Sequence, residues 1–111
     1  MEKANDFCIV FVTTSSYDDS SHIMKILISE RLAACCTVIQ NCVSMFGWDN
    51  AIQERHEYLM MIKTTKARLD AMEKRIIELH KDEVPEIIVT DITSGHAPYL
   101  NWVKESTSIT N

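Results

Sequence analysis

The amino-acid sequence predicts an α+β fold built around one antiparallel sheet. Four segments rich in β-branched and aromatic residues and two segments with apolar residues at helical spacing follow one another in the order β-α-β-β-α-β, and a short helical segment comes last. The 111 residues contain two glycines and two prolines, and no repeat, linker or low-complexity tract. We therefore predict a single domain over residues 1–111, with a folded core over about residues 7–105.

The first three elements are a strand, a helix and a second strand. FCIVFVTT, residues 7–14, is typical of a strand, and the polar segment after it is rich in residues that cap helices. A helix is predicted over about residues 19–34, and CCTVIQNCVSMF, residues 35–46, is predicted as the second strand. The apolar stripe of the predicted helix consists of Ile23, Ile26, Leu27 and Ala34.

The remaining elements are a long strand, a helix, a strand and a terminal helix. A turn over residues 47–51 leads into a partner strand over residues 52–64, and Thr65 is placed to cap a second helix. The next strand is predicted over residues 84–92, with Pro85 at its start, where a missing backbone donor is tolerated. Pro98 belongs to the first turn of the terminal helix. The stripe of the second helix consists of Leu69, Met72, Ile76 and Leu79.

This order of elements is that of the split-βαβ or ferredoxin-like fold, in which two helices cover one face of the sheet. A sheet whose second face meets water alternates apolar and polar residues, but FCIVFV, YLMMI and EIIV are apolar at consecutive positions. Burial of a large apolar side chain contributes about 1.5–3 kcal/mol, so a wet second face would be costly. We therefore predict that another subunit covers this face.

Charge and cysteine content limit the partners and the compartment. A net charge of −5 argues against a nucleic-acid-binding protein, and no apolar run approaches the length of a membrane span. The N-terminal residues are not typical of a signal peptide, so we expect a cytoplasmic protein with free thiols. None of the cysteines has C-x-x-C spacing, and we predict that all are buried and inert. They are Cys8, Cys35, Cys36 and Cys42.

Four segments of the chain resemble the CutA-like divalent-cation-tolerance family in both order and spacing. They are ERLAACC, WDNAIQERHEYLMMIKT, HKDEVPEII and YLNWV, and the resemblance extends from about Ile9 to Val103. It implies a ferredoxin-like subunit in a tight homotrimer, with the ends of the long hairpin strands paired between subunits. It also implies an association with tolerance of copper and other divalent metals.

His80, Glu83 and Glu86 are the best candidate metal ligands. His80 is predicted at the end of the second helix and Glu86 at the start of the next strand, so a tight turn brings an imidazole and carboxylates together, and this set suits copper or zinc. By spacing alone, a helix-terminal histidine with solvated acids is the favoured interpretation. The resemblance favours a ligand role, because His80, Pro85 and Glu86 match the family's His-Pro-Tyr-x-x-Pro-Glu segment.

Three departures from the family pattern weaken the predicted site. Lys81 and Asp82 replace the usual Pro-Tyr, Leu79 stands where some members have a second histidine, and Thr13 stands where copper-binding members can have cysteine. The resemblance therefore implies a weak oxygen-and-nitrogen site for copper or another divalent cation rather than a thiolate site.

Other residues that match the family are Trp48, Lys63, Tyr99 and Trp102. Packing at the hairpin tip and the trimer seam is the preferred interpretation of the aromatic residues, and stacking on a ligand is the alternative. Lys63 is predicted to extend along the apolar strand or pair with an acid, with anion binding in an inter-subunit cleft as the alternative. Cys35 matches the family's Ala-Ala-Cys and is interpreted as structural, like Pro85.

Two functions remain open. The first is a homotrimer that binds divalent metal weakly and contributes to metal tolerance; the second is a small-molecule sensor or signalling scaffold that uses the clefts between subunits. An enzyme is not predicted, because the sequence has no complete catalytic constellation.

Overall fold

Six strands, three α-helices and one 3₁₀ turn make up the computed structural model, which describes residues 1–109. The strands are β1 (Glu2–Lys3), β2 (Phe7–Thr14), β3 (Cys35–Trp48), β4 (Ala51–Thr65), β5 (Ile87–Asp91) and β6 (Ser94–Gly95). The helices are α1 (Tyr17–Ser29), α2 (Leu69–Leu79) and α3 (Ala97–Ser106), and the 3₁₀ turn is Lys66–Arg68.

The main sheet has the strand order β3-β4-β2-β5, and every neighbouring pair is antiparallel. Side chains from β2 and β4 form one core with those of α1 and α2, so both helices pack on the same face. The largest fully buried members are Val10, Val12, Ile23, Leu27, Met60, Ile62, Met72 and Ile76. This arrangement confirms the predicted ferredoxin-like fold and both predicted helical stripes, except for Ile26 and Ala34, neither of which belongs to this core.

Helix α1 ends earlier than predicted. Arg31 has a φ of 60°, and the amides of Leu32 and Ala33 both turn back to the carbonyl of Leu27, at 2.9 and 3.2 Å. A residue in the left-handed region ends a helix in this way. Ala34 therefore lies outside the helix, and its amide donates to the carbonyl of Lys63 in the main sheet at 2.9 Å.

The predictions around Pro85 and Thr65 are corrected. β5 begins at Ile87, so Pro85 precedes the strand instead of opening it. The bounds of β5 are set by its pairing with Cys8–Val12 of β2. Thr65 precedes the 3₁₀ turn, but its side chain accepts no capping hydrogen bond from an amide of that turn; its Oγ1 lies 3.3 Å from that of Thr107 after α3. The short β1–β6 pair was not predicted.

The β3–β4 hairpin extends beyond the rest of the sheet. Pairing with β2 stops at Tyr58, so the strand segments nearer the tip pair only with each other. At the tip, Asp49 and Asn50 have φ of 52° and 62°, as in the two-residue turns that favour hairpins. Nearer the base, one extra residue lies in β3 between Ile39 and Cys42, and Asn41 there has a φ of 63°.

The sheet face opposite α1 and α2, called here the open face, is apolar. Cross-strand partners place Thr37, Met61, Phe11 and Ile88 in one row across it, and Ile88 is 56% exposed. Further apolar members of this face are Phe7, Ile9, Ile39 and Leu59. The predicted apolar character of both sheet faces is therefore confirmed.

Helix α3 docks at the base of the sheet. Leu100 and Val103 are buried, and the guanidinium of Arg31 donates to the carbonyls of Glu105 and Ser108 at the end of the helix. The helix dipole also stabilises a cation that lies near the C-terminal end of a helix. Over residues 1–109, no helix combines the length and apolarity that crossing a bilayer requires.

Candidate functional site

A cleft of about 950 Å³ lies between the tip half of the β3–β4 hairpin and the loop over residues 80–86 that joins α2 to β5. The hairpin contributes Phe46, Trp48 and Arg55, and the loop contributes Glu83 and Glu86. Thr13, at the end of β2, also borders the cleft.

His80 lies behind this cleft, with its side chain 3% exposed. Its Nδ1 accepts a hydrogen bond from the amide of Asp82 at 3.0 Å, and its Nε2 lies 2.7 Å from the carbonyl oxygen of Thr13. Because a carbonyl oxygen only accepts, Nε2 carries the proton and Nδ1 does not. Both ring nitrogens therefore have backbone partners, and His80 ties the loop to β2.

Two ion pairs hold the same loop from its exposed side. Lys81 Nζ lies 2.9 Å from the carboxylate of Asp19 on α1, and Arg55 Nη2 lies 2.9 Å from the carboxylate of Asp82. The hydrogen bond from Lys81 lowers the pKa of Asp19, and the hydrogen bond to Asp82 raises the pKa of Arg55. Lys81 and Asp82 thus form ion pairs that connect the loop to α1 and to the hairpin.

The cleft is lined by more negative than positive charge. Five carboxylates face two cations there: Glu54, Glu57, Asp82, Glu83 and Glu86 against Arg55 and Lys81. Glu57 and Asp82 pair with Arg55, whereas Glu54, Glu83 and Glu86 have no ion-pair partner among residues 1–109. Carboxylate oxygens without a cation favour a positively charged ligand.

Of the four other candidate residues from the sequence, Trp48 lines this cleft and Lys63, Tyr99 and Trp102 do not. Trp48 lines it and is 57% exposed, but Lys63 lies at the opposite end of the hairpin, paired across the strands with Cys35. The Lys63 ammonium donates to Thr37 Oγ1 at 2.8 Å and to the carbonyl of Met61 at 3.2 Å, so pairing with an acid is not observed among the described residues. Tyr99 and Trp102 lie near that end on α3, with ring centres 5.7 Å apart.

The prediction of four buried cysteines is wrong, and Cys35 and Cys36 lie on opposite sheet faces. Only Cys8 is buried; Cys35, Cys36 and Cys42 are half-buried, and all four are free. Cys35 Sγ lies 3.2 Å from the hydroxyl of Tyr99 on the open face, and burial raises the pKa of Tyr99 to about 12. Cys36 packs against the core, where burial raises its thiol pKa to about 11.

Sequence reasoning missed Phe46, Arg55 and Glu57 as members of the site. The Glu57 side chain is only 7% exposed, with Arg55 Nε 3.2 Å from its Oε2. Alternation along QERHE places Gln53, Arg55 and Glu57 on one strand face and could have indicated this group.

The residues present fit a divalent cation only in part. Glu83 and Glu86 supply the oxygen ligands that hard and borderline cations accept, and His80 would add an imidazole if Nδ1 released the Asp82 amide. Within residues 1–109, no three side chains of the His, Cys, Asp and Glu types already converge as a metal site. Leu79 packs against the core and supplies no ligand.

Comparison with known proteins relates the chain to one family. Residues 8–106 match the family model described as "CutA1 divalent ion tolerance protein". The divalent-cation tolerance protein CutA of Thermus thermophilus is 34% identical over 99 residues, which are 89% of this chain and 96% of that protein. The crystal structure of CutA1 from a psychrotrophic Shewanella species superposes with a TM-score of 0.90 at 36% identity, covering 94% of this chain and 97% of that one.

A plant relative is longer than this chain. The rice protein named "Protein CutA 1, chloroplastic" is 34% identical over 99 residues, which are 89% of this chain but 56% of that protein. The chain therefore spans little more than half of the rice protein.

Proposed function

The chain belongs to the CutA1 divalent ion tolerance family, and from this membership we propose that it acts as a homotrimer that binds a divalent cation weakly and so contributes to tolerance of such ions. Copper is the proposed cation, because among first-row divalent ions it binds nitrogen and oxygen ligands most tightly. Relatives bear the name of divalent-cation tolerance proteins and not that of an enzyme.

One observation carries the metal proposal: the carboxylates of Glu83 and Glu86 line the cleft without an ion-pair partner among residues 1–109. We propose these two as oxygen ligands and His80 Nδ1 as the nitrogen ligand. Coordination by His80 replaces its hydrogen bond from the Asp82 amide, which costs about 0.5–1.5 kcal/mol net. That cost is one reason to expect weak binding.

Titration calorimetry with copper and zinc tests this assignment. We expect copper to bind the wild-type protein more tightly than zinc, and the Glu83→Gln, Glu86→Gln double variant to lose most of the binding. His80→Ala is expected to weaken copper binding about tenfold, which equals about 1.4 kcal/mol. Glu78→Gln, on the exposed side of α2, is the matched control and should bind like wild type.

Two outcomes would correct the assignment. Identical isotherms for His80→Ala and wild type would remove His80 from the ligand set while leaving the glutamates. Identical isotherms for the double variant and wild type would remove the cleft as the metal site.

The trimer is proposed from the apolar open face, on which Ile39 and Ile88 are 42% and 56% exposed. Sedimentation should give three times the chain mass of 12.7 kDa. A folded particle of 12.7 kDa at micromolar concentration would contradict the proposal.

The cytoplasm is the proposed compartment, supported by four cysteines that form no disulfide within the described residues. Cell fractionation with the native protein tests it, and recovery with an exported marker protein would contradict it.

A further inference from the structure

The imidazole of His80 is enclosed although it belongs to a polar loop. Its side chain is 3% exposed, and its Nδ1 accepts the amide of Asp82 at 3.0 Å. Its Nε2 lies 2.7 Å from the carbonyl oxygen of Thr13 on β2. Nδ1 is the one ring nitrogen without a proton, so a metal ion or a reagent reaches it only after the Asp82 amide has moved away.

Ion pairs on the two residues after His80 oppose that movement. Lys81 Nζ lies 2.9 Å from the carboxylate of Asp19 on α1, and Arg55 Nη2 on β4 donates to Asp82 Oδ2 at 2.9 Å. The loop is thus held by α1 on one side and by the hairpin on the other. A shift of the loop that frees Nδ1 of His80 therefore breaks one of these ion pairs.

The Lys81–Asp19 pair is the one that solution conditions reach. The Lys81 side chain is 77% exposed and that of Asp19 is 17% exposed. α1 packs on the sheet face opposite the open face, so the subunit contacts proposed on the open face do not cover this pair. An exposed ion pair changes an equilibrium constant only a few-fold, and salt weakens it further.

From these contacts we propose that the loop over residues 80–86 is a latch with two positions, which the Lys81–Asp19 ion pair holds closed. In the closed position Nδ1 of His80 is bound to the Asp82 amide, and in the open position it is free. Lys81 and Asp19 are positioning residues, because they act on a ligand only through His80. The effect on copper rests on the proposed metal site, but the latch itself does not.

Labelling with diethyl pyrocarbonate near neutral pH reports the open position without any metal, because the reagent needs a free, unprotonated imidazole nitrogen. We expect Asp19→Asn and Lys81→Gln each to raise the labelling rate of His80 about threefold, as read by peptide mass spectrometry. The double variant should label no faster than either single variant, because both changes remove the same ion pair. The exposed His56 and His96 are internal references whose rates should stay constant.

Asp18→Asn is the matched control for Asp19→Asn. Both aspartates lie in the first turn of α1, so both substitutions remove one charge from the same end of the helix. The Asp18 carboxylate, however, has no ion-pair partner among residues 1–109. We expect it to leave the labelling of His80 at the wild-type rate. If Asp18→Asn and Asp19→Asn accelerate labelling equally, or neither does, the latch is overturned.

Copper titration of the same variants gives a second readout, in which the latch and simple charge predict opposite signs. Asp19→Asn removes a negative charge, so electrostatic attraction alone predicts weaker binding of a cation. An opened latch predicts binding up to about threefold tighter, because more molecules present a free Nδ1 on His80. Tighter binding by Asp19→Asn, but not by Asp18→Asn, would support the latch.

The two readouts keep the latch and the metal proposal distinguishable. If wild type binds no copper but Asp19→Asn labels faster at His80, the metal proposal fails and the latch stands. If copper binds and Asp19→Asn changes neither labelling nor affinity, the latch fails alone. Faster labelling without a gain in copper affinity would leave the latch and remove His80 from the copper ligands.

Discussion

At the scale of single residues, contacts with distant parts of the chain decide reactivity. His80 and Cys36 are both ligand types, yet His80 directs its ring nitrogens to the backbone and Cys36 packs against the core. Their residue types permit metal chemistry, but their partners restrict it.

The thiol of Cys36 should resist alkylation in the folded protein. Burial raises its pKa to about 11, above its value in the unfolded chain, so folding favours the neutral thiol. The stability that depends on this thiol is fully present below the unfolded pKa of about 8.5 and is lost as the pH rises toward 11. We expect iodoacetamide to label Cys36 slowly at pH 8 and rapidly after denaturation, as read by peptide mass spectrometry.

A Cys36→Ser variant identifies the labelled position: its peptide, which still carries Cys35 and Cys42, should take up one label fewer after denaturation than the wild-type peptide. Rapid labelling of Cys36 in the folded wild-type protein at pH 8 would contradict its placement against the core.

At the scale of elements, the extra residue in β3 decides which side chains face the cleft. Before it, Cys35, Thr37 and Ile39 point to the open face; after it, Cys42, Ser44, Phe46 and Trp48 do. Because side chains alternate along a strand, a single inserted residue exchanges the two faces. Without the bulge at Asn41, Phe46 and Trp48 would point away from Arg55.

Substitution of Asn41 tests the backbone conformation that makes this bulge. Asn41 has a φ of 63°, a left-handed conformation that glycine adopts freely and a β-branched residue does not. Asn41→Val should therefore lower the free energy of unfolding by about 1–2 kcal/mol, whereas Asn41→Gly should preserve or raise it. Urea denaturation at equal protein concentrations measures the difference.

Gln53→Val, at a regularly paired position of β4, serves as the control and should have little effect. An Asn41→Val variant as stable as Asn41→Gly would show that the left-handed conformation is not required.

At the scale of the whole molecule, the two apolar sheet faces cannot both be covered within one chain. Helices α1 and α2 bury one face, and the row of Thr37, Met61, Phe11 and Ile88 lies on the other. Burial of these side chains between copies supplies the free energy for the proposed assembly.

Two isoleucines with equal exposure separate assembly from folding. Ile88 on the open face is 56% exposed, and Ile77 on α2 is 55% exposed. Ile88→Glu should shift sedimentation toward smaller species, because a charge replaces an apolar contact worth about 1.5–3 kcal/mol in each copy. Ile77→Glu should leave the sedimentation coefficient unchanged.

If both variants sediment like wild type, the open face is not the contact between copies. Dissociation of Ile77→Glu but not Ile88→Glu would place that contact on the helical side.

The order of elements and the two apolar sheet faces were determined by the sequence alone. Apolar side chains recur every three to four positions on a helix and alternate along a strand, and both patterns are local properties of the chain. The resemblance of its short motifs also indicated the correct family. The bulge at Asn41, the early end of α1 at Arg31 and the partners of His80 were decided only by the tertiary structure. The bulge and one partner of His80 depend on residues far apart in sequence: a bulge is defined by the opposite strand, and Nε2 of His80 meets a strand that lies 67 positions earlier. The cleft that joins Trp48, Arg55 and Glu86 exists for the same reason, since only packing of the hairpin against the α2–β5 loop brings them together.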